Sequence, residues 1–253
     1  YPLTYTFTDE AGNTSVCSFN LVVVDSQIPI FGSTVPTSTT VDTDPGVCNA
    51  LVSFDNPFTN FDNCILQSLV VSFSGASTIT DKSYNGAAAA GGQTVTETYE
   101  KGITTVTFTL TDNATPPNTN TMSITVTVED NEAPTFTAPA AKEIFTDADC
   151  NYDVTVGSTG DVTDEADNCT SDPQATYTDA TPVAGACEGT FTILRTWSLV
   201  DDCGNAAADQ TQLITISDNT APTFTAPADK EIFTDTNILA QTCASSGSEA
   251  GDD

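Results

Sequence analysis

One phrase constrains the architecture before any strand is sought. Asp-Asn-x-Ala-Pro-Thr-Phe occurs at Asp130–Phe136 and again at Asp218–Phe224, and each copy opens a run through Thr-Ala-Pro-Ala-x-Lys-Glu-Ile-Phe-Thr-Asp. Between Ala133–Asp147 and Ala221–Asp235 one position differs, Ala141 against Asp229, so equivalent points of successive modules lie 88 residues apart. A weaker copy, Asp25–Phe31, stands about one module earlier. The chain therefore reads as a linear array, in which each unit contacts its neighbours and function follows from length and joints.

Within the period the strand signals are strong. Residues 3–8, 20–24, 104–110, 123–128, 190–200 and 213–216 are rich in Thr, Val, Ile and aromatic side chains with apolar residues at every second place, the pattern of half-buried strands. No segment carries a helical stripe, and 87–92 reads as a small-residue loop. Three times a strand, an Asp-rich loop, a strand and an Asp follow one another, at 5–25, 108–130 and 197–218. These are terminal antiparallel pairs, and they place the boundaries. Residues 1–24 are expected to be the last strands of one module, 25–129 and 130–217 two whole modules, and 218–253 the start of another. Modules of this size with many short strands fit an all-β fold of tandem immunoglobulin-like sandwiches. Tyr1 begins inside a strand-like stretch, so the chain reads as part of something longer.

Composition excludes several functions. Thirty-five acidic residues face five basic ones, for a net charge of −30, and neither nucleic acid nor an anionic membrane finds a cationic surface here. With no histidine there is no Ser/His/Asp triad and no histidine zinc ligand. Adjacent acids such as Asp9/Glu10 and Asp164/Glu165 lie together in loops rather than across a cleft, so no enzyme activity and no catalytic residue is expected. Trp197 and Phe191 share a strand face and read as core rather than as a sugar platform, while Arg195 is expected to meet a carboxylate on the sheet surface. No apolar run approaches a membrane span. Eight cysteines without close Cys-x-x-Cys spacing read as disulfides, hence an oxidising, extracytoplasmic setting.

The acidic loops sort by end. Each junction Asp (Asp25, Asp130, Asp218) leaves the last strand of one sandwich where the next presents its B–C and F–G loops. At Asp130, with Asn131 beside it, these loops bring Asp164, Asp167, Asp201 and Asp202; at Asp25 they bring Asp62 and Asp112. Calcium takes six to eight oxygens from such mixtures and would cancel the repulsion between them. The competing reading needs no metal, because Asp and Asn favour turns through their own side-chain hydrogen bonds.

Residues 41–50, Asp62-Asn63-Cys64 and 8–19 resemble the hyalin-repeat family. The stretch from 130, with 163–169, 195–205 and 218–222, is similar to repeats of the giant gliding-motility adhesins and related surface filaments of Bacteroidetes. The resemblance covers nearly the whole chain up to Asn237. The junction phrase is also similar to cadherin linkers, with one residue more before the proline and no Leu-Asp-Arg-Glu. The resemblance implies a secreted, surface-displayed protein, exported in that family by the type IX route.

Such modules often carry one cysteine before an early proline and another in the last strand. Cys17 matches the late position, its partner lying upstream of Tyr1. The 25–129 stretch has Val35-Pro36 and Met122 at those places, which leaves Cys48 with Cys64 as the pair that module can make. In 130–217, Cys150, Cys169, Cys187 and Cys203 allow three connectivities. A strand over 190–200 would hold Cys187 and Cys203 roughly 35 Å apart, far beyond a disulfide's reach of about 7 Å. In a sandwich the A–B turn with Cys150 and the E–F connection with Cys187 lie at one end, and the B–C loop with Cys169 and the F–G loop with Cys203 at the other, which favours Cys150–Cys187 with Cys169–Cys203 over Cys150–Cys169, the pairing analogous to that of the module before. Cys243 has no assigned partner.

The functional reading is a non-catalytic segment of a secreted cell-surface adhesin or extracellular filament, a spacer or attachment element in gliding, adhesion or cell contact, with calcium as its cofactor. Its partners are neighbouring modules, other copies in a fibre, and surface glycans or other cells. Two further readings are carbohydrate-binding accessory modules of a secreted enzyme and calcium-dependent cell–cell recognition modules.

Overall fold

The structure, a computed structural model, describes residues 1–32, 36–56, 60–185 and 189–230. The chain divides into two units, Tyr1–Asp218 and Asn219–Asp253. The described part of the second, 219–230, is exposed and without regular elements.

The first unit opens with a hairpin of β1 (Pro2–Thr8) and β2 (Thr14–Asn20), paired from Pro2↔Asn20 to Thr8↔Thr14. The sequence pattern places the second strand at 20–24; the turn places it earlier. Asp9 accepts the N–H groups of Ala11 and Asn13 at 3.0 and 2.7 Å, and its own N–H reaches Asn13 O at 2.9 Å, so pairing starts at Thr14. It ends where Leu21 N–H meets the Tyr1 carbonyl, and 21–24 have no strand opposite them.

The next residues form a two-layer sandwich. One layer orders β3 (Thr39–Asp42), β9 (Thr119–Glu129), β8 (Gly102–Asp112), β5 (Leu66–Gly75) and β6 (Lys82–Asn85); the other pairs β4 (Asn49–Asn56) with β7 (Gln93–Glu100). The first and last strands, β3 and β9, run parallel, with Thr39↔Val126 through Asp42↔Glu129 in register. Period-two alternation builds the core: Val106, Phe108 and Leu110 from β8, Ile124, Val126 and Val128 from β9, and Leu69 and Val71 from β5 face Ala50, Val52 and Tyr99. The small-residue stretch is a 3₁₀ turn, Gly86–Ala90, whose Ala89 is fully buried in that core.

In the 130–217 stretch the same parallel closure recurs. β10 (Lys142–Phe145) lies parallel to β14 (Gln210–Ser217), which pairs with β13 (Phe191–Ser198); β11 (Thr176–Asp179) and β12 (Val183–Ala184) pair with successive parts of β13. The inner face is covered by the extended segment 136–140 and by α1 (Val156–Thr159). Gln210 and Gln212 tie these to β14, donating to Phe136 O, Ala140 O and Thr159 O. Phe136 packs with Val162, Trp197 and Leu199, so the aromatic residue of the junction phrase is core in the sandwich it introduces. Phe31, at the same place in the weaker copy, likewise packs against the core of the sandwich that it introduces.

Arg195 corrects the surface expectation. It shares the inward face of β13 with Ile193 and Trp197 and is fully buried. Its guanidinium grips Asp179 through Nε and Nη2 at 2.7 and 2.8 Å, reaches Thr159 Oγ1 and Val154 O, and lies 3.9 Å from the Tyr177 ring centroid. Four hydrogen bonds, two of them to a carboxylate, and a ring face make a buried cation tolerable. Arg195→Ala is expected to cost the 1–218 unit about 2–5 kcal/mol in urea unfolding, because it leaves a cavity on the inner face of β13 and takes the partner from Thr159 Oγ1 and Val154 O.

Candidate metal centres at the joints

The two junction aspartates sit in the same constructed surroundings. At the first joint Asp25, Asp62 and Asp112 each bring a carboxylate oxygen into a group whose members lie within 4.8 Å of one another; at the second Asp130, Asp167 and Asp201 do the same. Asp25 and Asp130 belong to the segment leaving a last strand. Asp62 and Asp167 lie 37 residues further on, each in an Asp-Asn-Cys loop, and Asp112 and Asp201 stand at the start of the loop between the final two strands.

Each carboxylate is aimed by N–H donors. Gln27 N–H and Asn63 Nδ2 hold Asp25 Oδ1 at 3.0 and 3.2 Å; Glu132 N–H and Asn168 Nδ2 hold Asp130 Oδ1, both at 3.2 Å. Cys64 N–H donates to Asp62 Oδ2 at 3.0 Å, and Cys169 N–H to Asp167 Oδ2 at 2.8 Å. Asp112 takes the N–H groups of Ala114 and Asn118 and the Asn118 amide; Asp201 takes those of Cys203 and Asn205 and the Asn205 amide. Asn118 and Asn205 also donate to the carbonyls of Asp25 and Asp130, tying the F–G loop to the incoming linker. Gly204 takes φ +94° in the Asp201–Asn205 turn and Gly12 takes φ +92° in the Asp9–Asn13 turn, a region open to glycine.

This bonding leaves oxygens over. Asp25 Oδ2 and Asp62 Oδ1 at the first joint, and Asp130 Oδ2, Asp167 Oδ1 and Asn168 Oδ1 at the second, are buried without a hydrogen-bond partner. Asp130 itself is only 5% exposed. Buried polar atoms are normally satisfied, and here five acceptors at two equivalent places are not. No lysine or arginine hydrogen-bonds to any of the six aspartates among the described residues; Lys101, close to Asp130 and Asp201, donates to Cys203 Sγ at 3.0 Å.

The donors also tune the acids. Gln27 N–H, then the Cys64 thiol, hold Asp25 below the ordinary carboxylate range against burial and the Asp112 charge. Burial opposes ionisation of Asp112 and Asp201, but the bonds from Asn118 and Ala114, and from Asn205, Cys203 and Gly204, outweigh it and hold both low.

The other expected ligands are placed elsewhere. Asn131 donates to Asp42 of the preceding sandwich at 2.8 Å, Asp164 accepts Thr137 N–H at 2.9 Å, and Asp202 is exposed, its N–H reaching Thr170 Oγ1. Asp218 is exposed and belongs to neither group of three. Asn118, Asn205, Asn63 and Asn168 were missed as site residues. Their signal was an Asn after each loop Asp: next to it in Asp-Asn-Cys, four residues on at Asn205 and six at Asn118.

The disulfides need correction. Cys48 bonds to Cys169 across the second joint, with Cα atoms 4.7 Å apart and a separation of 121 positions in sequence. It replaces Cys48–Cys64 and Cys169–Cys203, whose other members, Cys64 and Cys203, are free and exposed, as are Cys17 and Cys150. The expected partner of Cys150, Cys187, lies outside the described residues. The physical reason is the end-sorting itself: the A–B loop of one sandwich meets the B–C loop of the next. Further ties cross the same joint, from Asn168 to Val47 O and Thr43 Oγ1, and from Gly46 N–H to Glu132.

No family model and no curated protein matches the chain. Among solved structures it is similar to extracellular cadherin domains 1–5 of protocadherin gamma B2, at 14% identity and a TM-score of 0.33, over 87% of this chain and 46% of that one. It is also similar to EC21–23 of human CDH23, at 15% identity and 0.34, over 81% and 68% of the two chains. For mouse clustered PcdhgC3 EC1–3 the values are 12% and 0.32, over 86% and 77%. The chain spans less than half the length of the first of these. Likeness this distant carries neither a ligand nor a partner across.

The depressed acids set a pH dependence. A carboxylate that binds its proton less readily folded than unfolded stabilises fully above the ordinary Asp value, and that contribution is lost as pH falls through the folded value. For Asp25, Asp112 and Asp201 the urea midpoint is expected to hold down to pH about 5 and to fall below it. Asp201→Asn should flatten part of that fall.

Proposed function

We propose that this chain is a non-catalytic segment of an extracellular adhesive array, and that calcium bound at the joints sets the angle between successive sandwich modules, 25–129 and 130–217 among them. The observation that carries the reading is the repeated three-carboxylate site with buried, unanswered oxygens at both joints. The donors are all oxygens, carboxylates with an amide, the set that suits calcium, which takes six to eight oxygens in flexible geometry. Asp25, Asp62 and Asp112 would hold one ion, and Asp130, Asp167 and Asp201, with Asn168 Oδ1, another. Bound calcium would supply charge neutralisation and orientation, and no reaction.

The array reading extends to a spacer or attachment role on a cell surface or in a filament. Assignment to gliding adhesins and type IX export rests on the resemblance of 41–50, 62–64, 163–169 and 195–205 alone. Partners of stated kind are adjoining modules, further copies and other cells. The carbohydrate-binding reading is weakened because the single tryptophan, Trp197, is fully buried. No helix among the described residues is long and apolar enough to cross a membrane.

Isothermal titration of the calcium-stripped chain is expected to show at least two ions bound, with Asp62→Asn removing the first-joint site and Asp167→Asn the second. Chelation should lower the thermal midpoint. No heat and an unchanged midpoint would remove calcium from the reading.

A further inference from the structure

The bond between Cys48 and Cys169 joins two different kinds of loop. Cys48 lies in the loop after the first strand, at the end where a sandwich hands over to the next. Cys169 lies in the Asp-Asn-Cys loop at the end where a sandwich receives the previous one. Each of the two stretches owns both kinds of loop, so each owns a second cysteine of the opposite kind.

Cys64 is the counterpart of Cys169. Both stand 39 residues after a junction Asp, both follow Asp-Asn, and both donate their N–H to the Asp two residues before, at 3.0 and 2.8 Å. The neighbouring bridges match as well, Ile30↔Phe61 and Thr135↔Ala166. Cys150 is the counterpart of Cys48. Each immediately precedes an Asn whose carbonyl accepts the N–H of an Asp, Asp44 N to Asn49 O at 2.7 Å and Asp147 N to Asn151 O at 2.9 Å. Each also follows the strand that runs parallel to the last one of its sandwich, β3 and β10. Both Cys64 and Cys150 are exposed and outside any disulfide.

We infer that an exit-loop to entry-loop disulfide is the repeated staple of this array, and that Cys64 and Cys150 are its two open halves. Cys64 takes the exit-loop cysteine of an adjoining module on its N-terminal side, and Cys150 the Asp-Asn-Cys cysteine of one on its C-terminal side. Each bond forms by exchange. One thiolate displaces a sulfur from a disulfide oxidant, an extracytoplasmic exchange catalyst or a small-molecule disulfide. The second thiolate then attacks the mixed disulfide, so two protons leave the cysteines and the oxidant departs as the reduced dithiol.

The inference rests on the modular reading but not on calcium, so the test is run in chelator. Full-length protein is alkylated without reductant, digested with pepsin at acid pH because five basic residues leave trypsin few sites, and its cross-linked peptides are sequenced by mass spectrometry. Expected are Cys48–Cys169, Cys64 joined to a cysteine that precedes an Asn in an upstream module, and Cys150 joined to a downstream Asp-Asn-Cys. Recovery of Cys64 or Cys150 in alkylated form, or of Cys64–Cys48 or Cys150–Cys187, overturns it. A joint left without calcium would change none of these masses, so loss of the metal reading and loss of the staple are told apart.

Discussion

An ionised carboxylate is stable inside a protein only where N–H donors or an opposite charge answer it. Each joint of this chain gathers three of them, and the rest of the local structure follows from that demand. The donors supplied by the chain are nearly all backbone N–H groups of tight loops together with the amides of Asn63, Asn118, Asn168 and Asn205. They answer one oxygen of Asp25, Asp62, Asp130 and Asp167 and leave the other without a partner, while both oxygens of Asp112 and Asp201 are engaged. Loop conformation and linker path are thereby tied to the same few oxygens.

Two different devices meet at the second joint. One is the covalent bond between Cys48 and Cys169; the other is the group of Asp130, Asp167 and Asp201, which a bound cation would draw together. They act on neighbouring residues, since Asp167 and Cys169 share one loop. Because the 39–129 sandwich and the 130–217 sheet each close their own core, these devices govern how modules are held rather than whether each one folds.

Much of this was legible in the residues. The tandem phrase, the period-two strands and the sorting of loops by end lead to the six acids that the structure gathers at the two joints. The errors have physical causes. The apolar run at 20–24 has better strand propensity than 14–20, yet turn closure at Asp9–Asn13 decides which residues meet β1. Alternation along β13 already puts position 195 on the face of Ile193 and Trp197; the charge of arginine argued for the surface, and a partner set of Asp179, Thr159 and Val154 O outweighed it. The cysteines were paired within modules although the same end-sorting sends the Cys48 loop across a joint. Asn118 and Asn205 each hold the acid of their own loop and the carbonyl of the incoming junction Asp, a double contact that exists only once the loop is folded.

The parallel pairing of first and last strands has a mechanical meaning. A pull along the array enters the middle sandwich beside β3 and leaves beyond β9, so the four register pairs from Thr39↔Val126 to Asp42↔Glu129 are sheared together rather than unzipped one after another. β10 and β14 are arranged alike, from Lys142↔Ile214 to Phe145↔Ser217. The Cys48–Cys169 bond offers the same force a second route around the linker. A string built this way resists extension by its least separable contacts and keeps its length until several of them fail at once.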